Sequence, residues 1–101
     1  MSSAAPRSMD DVAELMRNSL PPGMTPAEFG QRMKWGRGND EARQRISTLS
    51  AEELLDIGLT VEQATNWVIA YEAVSRLMPD NPSATGRAEL LRHAARLLSG
   101  A

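Results

Sequence analysis

The chain contains no cysteine, a single histidine, a single lysine and only four aromatic residues in 101. Without cysteine there can be no disulfide framework, thiolate zinc site or cysteine nucleophile, which leaves stability to packing and the redox compartment undetermined. With His93 as the sole histidine, neither a catalytic histidine pair nor a two-histidine metal site can form within one chain. A formal net charge of -2 and a pI near 5.3 provide no global attraction to phosphate backbones or anionic membranes. No apolar run approaches the ~20 residues that span a bilayer, and the N-terminus lacks a basic-then-apolar signal pattern. No membrane span, metal or cofactor is expected.

Met, Leu and Ala are abundant, and β-branched residues never alternate with polar ones. That pattern predicts an all-α domain. At this length one modest core is expected, with roughly 65% of the unfolded chain's surface hidden on folding. The opening "MSSAAPRS" reads equally as a flexible leader and as a linker cut from a longer chain, so residues 1–7 are set apart from a single helical domain over 8–101.

Helix starts are marked by a hydroxyl residue followed three positions later by Glu or Gln, a reciprocal box in which each side chain bonds the other residue's backbone N–H. Thr25/Glu28, Ser50/Glu53 and Thr60/Gln63 fit this pattern, and Ser8/Asp11 is a weaker variant. Met24 with Phe29, Leu49 with Leu54 and Leu59 with Ala64 add apolar staples across three of the caps.

The first helix is predicted over about Met9 to Leu20, where "PPG" stops it. The second runs from Pro26 to about Trp35, with Gly36 as its left-handed end. A basic third helix, about Asp40 to Leu49, is capped by Asn39 or Asp40. A short fourth, Ala51 to Ile57, stops at Gly58. The fifth, about Val61 to Met78, is apolar over half its circumference and is expected at the centre. The sixth, about Pro82 to Ser99, carries small inward residues that permit close approach. The expected architecture is a compact bundle of five to six short helices around a central helix at about 61–78.

The stretch "KWGRGNDEAR", Lys34 to Arg43, concentrates unusual residues. Its glycines before a helix start invite a phosphate-loop reading, but no strand precedes them and no Gly-Lys-Ser/Thr end follows. The plainer reading is a corner between two helices, with Trp35 folded beneath it as a small satellite core. From Arg32 to Arg45, five cations face Asp40 and Glu41, a local charge of +3, and Glu52, Glu53, Asp56, Glu62 and Glu72 lie nearby in sequence. Such a dipolar layout can steer a charged partner or simply form a solvated face. Nucleic-acid binding would call for more basic charge and more than one exposed aromatic.

Arg87 falls amid the apolar arc of the sixth helix, where a buried guanidinium needs a carboxylate or several carbonyls. It reads first as a structural clamp, then as a residue snorkelling outward, then as a ligand contact. His93, one turn after Glu89, is either a Glu-oriented acid or base or a solvated residue near a helix C-terminus. Ile69 is an isolated apolar residue on the polar face of the fifth helix. "EELLDIGLTVEQATNWV" shares the helix, glycine turn, helix outline of ubiquitin-associated and helix-turn-helix modules, but its second helix is too apolar for exposed recognition.

From Phe29 to Leu98 the landmarks "FG", "KWGRG", "ARQRISTLSAEEL", "GLT" with a following Trp, and "NPSATGRAELL" resemble a small helical domain of unknown function. That family is found at the C-terminal end of bacterial secreted, polymorphic-toxin or type VI effector-like proteins. The resemblance implies a bacterial module made in the cytoplasm, with export as part of a longer protein left open, and it transfers no catalytic residue. The expected function is protein interaction through the basic helix and corner, with Lys34, Arg37, Arg43, Arg45 and Ile69 as contacts. A target, immunity or delivery protein is expected as the partner, ahead of nucleic acid. The alternatives are a small toxin enzyme acting on RNA or a nucleotide, with His93, Arg87, Asp40 and Arg37 as its candidate groups, and a DNA-binding helical module. Oligomeric state is left undetermined.

Overall fold

Six helices follow one another in the computed structural model, which describes residues 5–100. They are α1 (Met9–Arg17), α2 (Pro26–Met33), α3 (Asn39–Ile46), α4 (Ala51–Ile57), α5 (Val61–Leu77) and α6 (Ala84–Ser99). No strand occurs among the described residues. The radius of gyration, 12.6 Å, agrees with the ~13 Å of a folded domain of about 100 residues. No described helix is long and apolar enough to cross a membrane. Residues 1–4 of the expected leader lie outside the described residues; in its remainder Pro6 is buried, and its carbonyl accepts from Arg76 at 2.9 Å.

The capping boxes at Thr25, Ser50 and Thr60 form with both reciprocal bonds. At Ser8 the hydroxyl accepts from the Asp11 N–H, while the Asp11 carboxylate turns to the Arg7 N–H. Gly58 ends α4 with φ +86°; its N–H bonds the Leu55 carbonyl and the Leu59 N–H bonds that of Leu54, a Schellman pair.

Several boundaries differ from expectation. Helix α1 stops at Arg17, short of Leu20, the residue before Pro21 where helical geometry is disfavoured. The carbonyls so released turn to α5: Ser19 accepts from the Trp67 indole N–H at 2.9 Å, and Leu20 from the Gln63 amide at 3.1 Å. Helix α2 ends at Met33, and its left-handed terminal residue is Lys34 (φ 57°) in place of Gly36. Helix α3 starts one residue early, at Asn39, with Gly38 as cap and no capping side chain, so neither Asn39 nor Asp40 serves as expected. Helix α6 begins two residues late: the Asn81 side-chain oxygen accepts from the N–H groups of Ser83 and Ala84, capping it from outside.

Helices α5 and α6 form the most extensive pairing; α1 lies on α5, and α3 and α4 lie on α6. The centre is therefore a two-helix spine, with α5 as one half. Close approach at the start of α6 depends on Gly86, where an added Cβ would sit 2.6 Å from the backbone of Asn39.

All four aromatic residues join one cluster. Phe29 and Trp67 have ring centroids 4.7 Å apart, while Trp35 meets Phe29 at 5.5 Å and Tyr71 at 5.6 Å, both edge to face. Each such pair contributes ~0.5–1.5 kcal/mol beyond burial. Trp35 thus belongs to the main core and forms no satellite.

Candidate functional site

The corner between α2 and α3 is built against the first turn of α6. After α2 ends, Lys34 reverses the chain, donating its N–H to the Gly30 and Gln31 carbonyls. This directs Trp35 back beneath α2, where Gly30 makes room: a Cβ there would meet the indole nitrogen at 2.8 Å. Gly36 has φ +70°, and the space a side chain would need is filled by Glu41. One Glu41 oxygen accepts from the Arg37 N–H at 3.0 Å, pinning the turn. Asn39 then locks the corner to α6 twice: its N–H bonds the Pro82 carbonyl at 3.0 Å, and its side-chain oxygen accepts from the Gly86 N–H at 2.6 Å.

Arg87 completes this joint as the expected clamp, though without a carboxylate. Its Nη2 donates to the Gly36 carbonyl at 2.8 Å and its Nη1 to the Tyr71 hydroxyl at 3.3 Å. The guanidinium carbon lies 4.8 Å from the Trp35 ring centroid and 5.7 Å from that of Tyr71, so the charge rests on two aromatic faces. Its Nε is buried and has no partner among the described residues. Burial pushes the Tyr71 phenol up from its usual 10.0, and the Arg87 charge partly opposes that rise.

Beside this joint opens a groove of about 710 Å³. Lys34, Arg37 and Arg87 bring three cations to it; Trp35, Trp67 and Tyr71 form its floor; Met16, Pro26 and Ala27 contribute apolar wall. Lys34 and Arg37 are exposed, and neither side chain forms an ion pair among the described residues. Among the described residues, no Asp or Glu lines the groove. Charged and neutral N–H donors therefore line a groove whose side-chain acceptors are the neutral Gln31 amide and Tyr71 hydroxyl, so the arrangement favours an acceptor-rich, anionic group.

The other expected site residues lie elsewhere. Arg43 is bound to Glu89 at 2.7 Å and has Asp40 at 4.0 Å. Arg45 is not displayed by the corner: it is only 8% exposed, and it donates to the Met33 carbonyl, the Thr48 hydroxyl and the Glu53 carboxylate. Its guanidinium ties α3 to the end of α2 and the start of α4, because a buried cation must satisfy its donors. The Glu53 carboxyl is held below its usual pKa chiefly by the hydrogen bond from Arg45. Asp40 lines a separate depression with Arg43 and Pro82. Ile69 is half-buried and lines neither cavity.

His93, also half-buried, lies six residues past Arg87, roughly 9 Å along α6 and turned to another face. Its neighbour Glu89 is engaged by Arg43. The three candidate catalytic residues His93, Arg87 and Asp40 thus share neither cavity. Among the described residues no three metal-binding side chains converge. Sequence reasoning missed Tyr71 and Gly86 as parts of the corner. The glycine directly before Arg87 at a helix start was the available signal for the close approach.

Residues 5–98 match the model of a protein family described as Domain of unknown function (DUF4951). The chain belongs to the DUF4951 family. The matched span runs from before α1 nearly to the end of α6, so every residue of the cationic groove lies inside the DUF4951 domain. No curated relative and no solved structure matches the chain.

Proposed function

We propose that this DUF4951 domain is a protein-interaction module that docks a protein partner at the glycine corner, as part of a bacterial secreted, effector-like or toxin-like protein. The observation that carries the docking role is the unneutralised pair Lys34 and Arg37, exposed on a backbone that α6 holds in place through Asn39, Gly86 and Arg87. Rigid presentation lowers the ordering cost of binding. The effector setting rests on the motif resemblance alone. The basic helix contributes less than its sequence suggests, since Arg43 and Arg45 are engaged within the fold.

Lys34 is the only lysine, so amine-directed chemistry reports on the corner and the N-terminal amine alone. Zero-length carbodiimide coupling of the intact protein to bacterial lysate proteins, followed by peptide mapping, tests the proposal. The expected result is a protein adduct at Lys34 that Arg37→Ala suppresses. Among bonds formed through the chain's own amines, adducts confined to the N-terminus, or Lys34 adducts that Arg37→Ala leaves undiminished, would place docking elsewhere; bonds through the chain's own carboxylates report only lysines of the other protein. Growth arrest on expression in bacteria, relieved by a folded His93→Ala variant, would replace the interaction role with catalysis.

A further inference from the structure

We infer that the groove is a carboxylate-reading site, seating an Asp or Glu side chain of an extended partner segment against the Lys34, Arg37 and Arg87 cations. The flanking apolar residue of that segment lies on the Met16 and Pro26 wall. This names the partner chemistry for the docking role above and rests on it.

Charge complementarity carries the inference. Three arginines elsewhere in the fold pair with carboxylates of the chain, Arg43 with Glu89, Arg45 with Glu53 and Arg92 with Glu72, while others, such as Arg76, do not. What sets the groove apart is that Lys34, Arg37 and Arg87 share one lining that includes no described Asp or Glu. Arg87 spends its observed hydrogen bonds on two neutral oxygens, those of Gly36 and Tyr71, and no described carboxylate lies within ion-pair distance. Glu41, which fills the space at Gly36, is bound to the Arg37 backbone N–H. The Trp35 indole N–H also makes no hydrogen bond among the described residues, unlike that of Trp67. A fork of guanidinium N–H donors with an ammonium nearby matches the lone pairs of a carboxylate.

A carboxylate on a peptide fits better than a polyphosphate chain. Lys34 also borders a second depression lined by Arg32, Glu53, Asp56 and Ile57, so a polyanion running past Lys34 would meet two carboxylates against one further cation. A single acidic side chain would stop short of them. Apolar wall beside the cations suits the alternating faces of an extended peptide. The backbone at Lys34 adds a further observation. A left-handed residue is ordinarily glycine, and a non-glycine outlier of this kind is the sort of strain that ligand clamps retain. Here it fixes the only lysine at the groove.

The test is a two-dimensional NMR titration of the full chain, following the Trp35 indole N–H and the Lys34 and Arg37 amides. The probes are a short end-blocked peptide alternating Leu and Glu, its Leu and Gln counterpart, inorganic phosphate and a single-stranded oligonucleotide. The acidic peptide is expected to shift all three signals, with the Gln counterpart and the Arg37→Ala variant each about tenfold weaker, as for one lost charge-assisted hydrogen bond. Equal binding of the Gln counterpart would overturn carboxylate reading while leaving docking at the corner intact. Tighter binding of phosphate or the oligonucleotide would make this a phosphate site and overturn the inference. If no probe moves the three signals, the groove does not read carboxylates; docking is judged separately by the Lys34 adduct.

Discussion

Arg87 donates to the carbonyl of Gly36 at 2.8 Å, joining the first turn of α6 to a corner 51 residues earlier in the chain. One residue back, the Gly86 N–H reaches the side chain of Asn39. These two bonds make the corner part of the spine. Its glycines serve backbone geometry, and its free cations are available for contact. Each claim can be tested separately.

Gly86→Ala should open the α3–α6 joint, since the new methyl would lie 2.6 Å from backbone atoms of Asn39, which cannot rotate away. A loss of ~1–3 kcal/mol is expected, read as a lower urea midpoint. An unchanged midpoint would mean that the joint is looser than its contacts imply.

Lys34→Gly should act in the opposite direction on stability. Glycine adopts the left-handed conformation without Cβ strain, so the variant should gain about 0.5–1 kcal/mol after the added freedom of its unfolded chain is counted. The same variant should lose affinity for acidic peptides. A gain in stability with reduced binding is the expected signature of strain kept for contact.

Arg45→Ala should destabilise several times more than Arg43→Ala, whose exposed pair is worth only ~0.2–1 kcal/mol. It would leave the Met33 carbonyl without its guanidinium donor and the Glu53 carboxylate without its ion pair, left with the capping bonds from Ser50. Because the folded state lowers the Glu53 pKa, it binds that proton more weakly than the unfolded chain does. The contribution is therefore complete above about pH 4.5 and is lost as pH falls through the folded value. Urea midpoints of wild type and Glu53→Gln should converge toward acid.

Tyr71 is the only tyrosine, so the phenolate absorbance of the protein belongs to one group. Its titration midpoint should lie above 10.0, because burial disfavours the charged form. The stabilising effect of neutral Tyr71 is complete below that value and is lost as pH rises through the folded pKa. Removing the Arg87 charge in a variant that stays folded should raise the midpoint further.

The sequence revealed much of the fold because helix caps are local chemistry. Thr25, Ser50 and Thr60 announce their helices within four residues, and all three boxes formed. The corner was less legible, since its geometry is set by residues distant in the chain. Nothing near Trp35 indicates that Gly30 makes space for its indole, or that Tyr71 and Arg87 will cover it. Arg45 illustrates the same limit: in sequence it is one basic residue among several, and only the meeting of α2, α3 and α4 makes it a buried tie. Lys34 took the place expected of Gly36 because helix propensity does not register a left-handed residue that tertiary contacts enforce.

The most direct test of the account is the two-dimensional amide and indole NMR spectrum of a Lys34→Gly, Arg37→Ala double variant, recorded with and without the acidic Leu and Glu peptide. Scaffold and contact are then read in one experiment. The account predicts that core signals, including the Trp67 indole, keep their native positions while the peptide-induced shift of the Trp35 indole disappears. A collapsed spectrum, or a Trp35 shift as large as that of the wild type, would contradict it.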